Sequence, residues 1–347
     1  IESLLHAGAP VWYSEPETGW TVLHLAASLE DEALVKLLLE NSAVWNAVDV
    51  SGFTAGDIAL SLNNQGIYRL IRDAGIRSEF LLHILEKRAG EPPDSFILKA
   101  EDATAAGSST AFLSSRLRYT TDEHGQEICL ASLPGQEEVG VMMGWESGIM
   151  QETVKKLSLD RETDTNLPVL NIGFGLGIID KLFQTYTRPP SLHVIIEPHP
   201  DVLTHMRNTG WYEKPGVVIL EGKWQDFITS EEVYAAGGFD IIYTDTFSES
   251  YSDLLEFFEN VPNLLRDEYS RFSFFNGLGA TNALFYDVYS NIVELHLSDI
   301  GLATSWSDVE ISPGFVGHEE EDQHGVWGET RVYFNLPLYR LPICRMQ

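Results

Sequence analysis

Cysteine, positive charge and long apolar runs are all scarce in this chain, and each scarcity narrows what it can be. Cys129 and Cys344 are the only cysteines in 347 residues. With no Cys-x-x-Cys pair and no apolar leader, the pattern points to a reducing, intracellular compartment, cytoplasm or nucleus. A chain of this length can fold as two domains without a disulfide or a structural metal. No stretch of 18 apolar residues occurs, and the candidate FSFFNGLGATNALF is interrupted by Asn276, Gly277, Gly279 and Asn282, so no membrane span is expected. Lysine and arginine number 22 against 52 aspartates and glutamates, a formal net charge of −30. Such a surface repels phosphate backbones, which argues against nucleic acid, and attracts cationic partners over about one Debye length, ~8 Å in physiological salt. Ile1 is no initiator and opens mid-pattern, so further chain is expected upstream.

Against these absences stands a repeat. GWTVLHLAAS at Gly19 recurs as GFTAGDIALS at Gly52, a period of 33 residues, with Gly19/Gly52, Thr21/Thr54, Ala26/Ala59 and Ser28/Ser61 coinciding. DEALVKLLLENSA places Leu34, Leu37, Leu38 and Asn41 at the spacing of a second amphipathic helix, so each unit reads as a helix pair. This pattern resembles ankyrin repeats over roughly residues 1–75, with LLHAGAPVW similar to the tail of an earlier unit. Val22 and Ala55 stand where a proline usually follows the threonine, and Asp57 stands where the first unit has His24. A stack needs about three units to bury a continuous core, so this one is expected to lean on upstream chain or on the other domain. The resemblance implies protein recognition.

From EKRAGEPPDSF to KAEDATAAGSST the chain is rich in Pro, Gly, Ala, Ser and charge, the composition of a linker with a short extended insert. The boundary near Ala100 to Thr110 separates a first region, residues 1–100, from a second, 101–347. Beyond it VLNIGF, LHVIIEP, GVVILEG, FDIIYTD and RFSFFNG are short apolar runs alternating with helical segments. That alternation predicts a doubly wound α/β fold with a mostly parallel sheet covered on both faces. GLATSWSDVEI and TRVYFNLPLYRL, separated by an acidic loop, predict a closing antiparallel pair and seven strands in all.

VLNIGFGLGIID, Val169 to Asp180, reads as a buried strand, a glycine turn and the start of a helix. Gly173, Gly175 and Gly177 let a ligand approach backbone N–H groups at the helix start. A dinucleotide fingerprint wants Gly or Ala at 178, where this chain has Ile178. Gly-x-Gly-x-Gly shifts the expectation toward S-adenosylmethionine, which has no pyrophosphate to seat. Glu197, ending the second strand, is placed to take ribose hydroxyls with either cofactor.

VMMGWESGIM, EPHPDV, EGKWQDF and IIYTDTF, in order with NIGFGLG, resemble the guanidinoacetate methyltransferase family and its ankyrin-bearing fungal branch, the arginine N5-methyltransferases (type IV). The resemblance runs from about Ala111 to the end. It implies a Rossmann-like seven-stranded S-adenosylmethionine methyltransferase domain behind an ankyrin region. It further implies Gly173, Phe174, Gly175, Leu176, Gly177 and Ile178 at the methionine end of the cofactor, Glu197 at the ribose and Pro198 and His199 at its edge. Trp224 and Gln225 would meet the adenine, with Met150 and Tyr119 closing over the site. Asn171 departs from the acidic residue common in that family, which leaves neutral hydrogen bonds for the cofactor's amino group. The paired-glutamate loop and Thr-His-Trp segment of terminal-nitrogen arginine methyltransferases are missing.

A guanidinium is a poor nucleophile because its lone pairs are delocalised and its pKa exceeds about 12. Two carboxylates gripping its planar fork can localise charge and accept the departing proton. The resemblance assigns these roles to Glu146 in GWES and Asp245 in YTDT, with Asp245 also touching the cofactor; FNGLGATN offers Thr281 and Asn282 as substrate contacts or as helix caps. HEEEDQH carries His318 and His324 at no standard ligand spacing, so no metal is expected. The expectation is methyl transfer to the internal (delta) nitrogen of arginine in a basic protein, a ribosomal protein being one such class, with the repeats making protein contacts. A small-guanidine methyltransferase, an NAD-dependent oxidoreductase and an ankyrin interaction protein with an inactive enzyme domain are the alternatives.

Overall fold

The computed structural model describes residues 2–89, 108–122, 125–135, 138–159, 167–185, 189–247, 251–311 and 334–347. The chain divides into two compact units, one of Ile1–Ile97 with Gly277–Leu295 and one of Leu98–Asn276 with His296–Gln347. The first unit therefore draws on a segment that sequence reading assigned to the methyltransferase region. Most of the predicted linker, including 100–107 of the boundary, lies outside the described residues.

The first unit holds a short helix α1 (Glu2–His6) and two helix pairs, α2 (Val22–Ser28) with α3 (Glu32–Glu40) and α4 (Ala55–Ser61) with α5 (Gln65–Ala89). Thr21 and Thr54 cap α2 and α4, and the residues that break the repeat identity do the same job. Thr21 N–H donates to His24 Nδ1 at 3.1 Å, and Thr54 N–H to Asp57 Oδ2 at 2.8 Å, each closing a capping box. His24 Nε2 then donates to Phe53 O at 3.2 Å, tying one repeat to the next.

Gly277–Leu295 packs on this stack. Trp45, buried, meets Phe285 edge-on with ring centroids 5.8 Å apart. Tyr68 Oη donates to Asp287 Oδ2 at 3.1 Å, and Arg72 Nη1 lies 3.7 Å from the same oxygen. Asn282 caps the helix Ala283–Asp299 through Phe285 N–H and donates its amide to Asp57 Oδ2 at 2.6 Å. Two repeats are too few to bury their own apolar faces, and this segment supplies the missing layer.

The second unit contains α6 (Ser109–Ser114), α7 (Ser147–Leu157), α8 (Ile178–Thr185), α9 (Pro200–Asn208), α10 (Trp224–Phe227), α11 (Glu231–Tyr234) and α12 (Tyr251–Leu264). A three-stranded antiparallel sheet, β1 (Arg116–Thr121), β2 (Glu127–Ser132) and β3 (Val139–Met143), precedes the main sheet. Sequence reading gave these residues no strands, because their apolar alternation is weak and interrupted by charge. Leu117 N–H donates to Asp201 Oδ2 at 2.9 Å and Tyr119 stacks on His205 at 3.9 Å, fixing β1 against α9.

The main sheet runs β6 (Val217–Glu221), β5 (Leu192–Glu197), β4 (Pro168–Ile172), β7 (Ile241–Thr244), β8 (Arg271–Phe274), β10 (Leu338–Met346), β9 (Leu302–Glu310). β4 to β8 are parallel, while β10 is antiparallel to both neighbours, closing the seven strands as expected. The last strand begins at Leu338, further along than TRVYFNLPLYRL implied; residues 312–333 lie outside the described set. All five residues of β4 are buried, as a strand flanked on both faces requires. Strand order reverses between β4 and β7, which creates a crevice at their carboxyl ends. Among the described residues no helix is long and apolar enough to cross a membrane.

Trp45→Ala should lower the stability of the repeat unit by about 3–5 kcal/mol, the usual cost of deleting a buried tryptophan. Urea denaturation followed by circular dichroism measures it, and a loss under ~1 kcal/mol would mean that the repeats stand without the Trp45–Phe285 contact.

Candidate active site

The crevice is floored by the glycine turn after β4. Gly173, Gly175 and Gly177 have φ of +87°, +57° and +67°. A Cβ at 173 would overlap Asp245 O, and one at 177 the Phe174 ring. Gly175 differs: only Met142 comes near its absent Cβ, at 3.5 Å, so here a ligand can approach the backbone.

Glu197 closes one side. Buried at the end of β5, it accepts Phe174 N–H on Oε2 at 2.8 Å and His199 N–H on Oε1 at 2.7 Å. Burial outweighs these bonds and pushes its carboxyl up to about 7, with the Asp180 charge adding to the rise. Tyr119 reaches the same turn, its Oη 3.4 Å from Gly175 O.

Asp245 closes the other side. Its N–H donates to Ile172 O at 3.0 Å, its carbonyl lies against Gly173, and burial raises its carboxyl well above the carboxylate range. Glu146, half-buried, sits at the start of α7 without capping it. The two acids meet electrostatically at Tyr243: its buried hydroxyl is held neutral first by desolvation and then by the charges of Asp245, Tyr339 and Glu146. Tyr243 Oη donates to Met150 Sδ at 3.3 Å, which puts Met150 beside the acids.

The remaining predicted residues divide into three groups. Phe174 turns its ring into a cluster with Trp211, and Leu176 and Ile178 pack toward Phe112 and Val141, so these three serve the turn through backbone. Pro198 is half-buried beside Glu197, while His199 is committed structurally: Nδ1 accepts Asp201 N–H and Nε2 donates to Phe112 O. Trp224 is buried edge-on to Phe257, and Gln225 Oε1 is buried with no hydrogen-bond partner. Thr281 and Asn282 fall in the repeat-bearing unit, where Asn282 acts as the helix cap that sequence left as its other role. His318 and His324 lie outside the described residues, among which no group of three or more His, Cys, Asp or Glu is placed to hold a metal ion.

Three residues that sequence reading passed over belong to this region: Asp180, His193 and Tyr243. Their signal was polarity on a buried face, an aspartate beside Ile179 on the inner side of α8 and a histidine inside the apolar run of β5. Among the described residues, none of Asp180, Glu197 and Asp245 is paired with a lysine or arginine. A glycine turn open at one point, orphaned polar atoms and three acids with no lysine or arginine partner among the described residues fit a cationic nucleotide-type cofactor and a cationic second ligand.

Sheet order, the closing antiparallel pair and the glycine turn define a Rossmann-like methyltransferase fold behind ankyrin-type helix pairs. The Ankyrin repeat family model matches residues 18–50. The chain is 40% identical to protein arginine N-methyltransferase 2 of Cryptococcus neoformans, over 100% of this chain and 91% of the relative. It is 36% identical to the Aspergillus fumigatus protein of the same name, over 97% and 90%. Spermidine synthase from Thermotoga maritima superposes with a TM-score of 0.43 at 12% identity, over 66% of this chain and 72% of that one. The chain belongs to the protein arginine N-methyltransferase 2 family.

Glu197 also makes stability depend on pH. The unfolded chain releases this proton near the ordinary value of 4.5, whereas the native chain holds it to about 7. Across that window the unfolded state binds fewer protons, so stability falls as pH rises through it. Thermal denaturation from acid to neutral pH should show that decline, and Glu197→Gln should flatten part of it; an identical profile in the variant would show Glu197 ionising normally in the native state.

Proposed function

We propose that this protein transfers a methyl group from S-adenosylmethionine to the internal (N5, delta) nitrogen of an arginine in a basic protein. The observation that carries the reading is the set of desolvated acids around a glycine turn, none of them with a lysine or arginine partner among the described residues. Both reactants are cations, and a water-poor site lined by carboxylates is complementary to them. Family membership and the fold support the same chemistry.

S-adenosylmethionine, when bound, supplies a methyl group on a sulfonium. Gly173 to Ile178 would hold its methionine end, Glu197 its ribose, and Trp224 with Gln225 its base, the last through the orphaned amide oxygen. Asp245 and Glu146, whose charges both act on the Tyr243 hydroxyl, would grip the guanidinium fork and concentrate its positive charge away from the attacking nitrogen. The proton lost from the attacking arginine nitrogen would pass to one of these carboxylates. Burial that raises Asp245 above the carboxylate range suits it to accept this proton. The net charge of −30 supports a basic protein as substrate, because remote attraction can position one arginine in the crevice.

Incubation with labelled S-adenosylmethionine and basic proteins, followed by fragmentation, should place the methyl on the internal nitrogen. Label on terminal nitrogens, or guanidinoacetate methylated far better than any protein, would overturn the reading. Asp245→Asn and Glu146→Gln should each cut turnover by about 100-fold or more, Glu146→Gln with little change in cofactor affinity. Raised salt should lower methylation of protein substrates by screening.

A further inference from the structure

A buried polar relay underlies the glycine turn and has no part in the roles assigned above. Asn171 on β4 donates from Nδ2 to Gly173 O at 2.8 Å and to both Asp180 oxygens, at 2.9 and 3.0 Å. His193 Nε2 lies 3.0 Å from Asp180 Oδ1 in an off-axis ion-pair contact. On the other side of the ring, His193 Nδ1 lies 3.1 Å from Gln184 Nε2. Asn171, Asp180 and His193 are all 0% exposed, so no solvent is available to reorient them.

This relay determines one orientation of Asn171. Both amide hydrogens are taken by acceptors, so the side chain cannot flip. Asn171 Oδ1 is left buried with no hydrogen-bond partner, a state that native proteins rarely tolerate. An acid at 171 would lie about 3 Å from Asp180, and two buried carboxylates so close cannot both ionise. Asp180 stands instead in the first turn of α8, where the helix N-terminus favours its charge. Its charge reaches Glu197 and Tyr243, on the two sides of the crevice.

We propose that Asp180 is a positioning residue for the ammonium of the cofactor's methionine end: it locks Asn171 with its carbonyl oxygen unpaired and puts a negative charge directly behind the glycine turn. The ammonium supplies the donor that Asn171 Oδ1 lacks and brings a full positive charge toward Asp180, which has no lysine or arginine partner among the described residues. This inference rests on S-adenosylmethionine being the cofactor.

The test compares two ligands by calorimetry on the full chain. S-adenosylhomocysteine carries the ammonium; 5′-methylthioadenosine shares the nucleoside and lacks it. Asp180→Asn should weaken S-adenosylhomocysteine about 10-fold or more, as loss of a charged interaction does, and leave methylthioadenosine within about 2-fold. The exchange Asn171→Asp with Asp180→Asn restores one acid and one amide, and should bring the ratio of the two affinities back to within about 3-fold of the parent value. Equal losses for both ligands would mark Asp180 as merely structural and overturn the proposal, as would unchanged binding of S-adenosylhomocysteine. Should Asp180→Asn fail to fold, the exchange variant decides: a restored ratio supports the proposal and a collapsed ratio overturns it. Failure of the parent protein to bind either ligand would instead overturn the cofactor reading, and this inference with it.

Discussion

Burying carboxylates without a cation is costly, and the second unit is arranged around that cost. Glu197, Asp180 and Asp245 stand at or beside the carboxyl ends of β5, β4 and β7, the first two buried and Asp245 half-buried, and among the described residues none is joined to a lysine or arginine. An isolated buried charge is not stable, so Glu197 and Asp180 are held by donors that do not cancel them: backbone N–H groups for Glu197 and the Asn171 amide for Asp180. The residual cost appears as raised carboxyl pKa values at Glu197 and Asp245. A cationic ligand relieves that cost on binding, so the same feature that weakens the free protein supplies affinity.

The glycines follow from this constraint. Glu197 can accept Phe174 N–H only because the chain doubles back at positive φ immediately after β4, and Asp245 can sit at the crevice only because residue 173 has no side chain to strike its carbonyl. The carboxylates and the turn are therefore one device. A side chain at 173 or 177 would displace the acids as well as obstruct a ligand.

The repeat-bearing unit solves a separate problem. Two helix pairs cannot close a core, and Gly277–Leu295 closes it with Leu284, Phe285 and the Asp287 carboxylate that meets Tyr68 and Arg72. Cutting the chain near residue 100 would strip those residues of their partners. A domain boundary drawn on linker composition misses this, because composition records where the chain is loose and is blind to a helix contributed from 180 residues further on.

Local chemistry was legible in the residues themselves. The 33-residue period, the apolar runs of the parallel strands, the closing pair and the Gly-x-Gly-x-Gly turn each depend on neighbours in sequence, and each is present in the fold. Glu146 and Asp245 became candidates through the family resemblance, and Glu197 through its place at the end of an apolar run, where ligands meet open sheets. Tertiary structure alone decided the rest. Whether an aspartate on a helix is solvated or buried depends on which strand faces it, so Asp180 and His193 became a pair only when α8 packed over β4 and β5. Asn282 sat among site candidates by proximity in sequence, and the fold made it a helix cap bound to Asp57. A sequence records which side chains can donate, accept or carry charge; only packing decides which of them are denied water, and here that denial makes the chemistry.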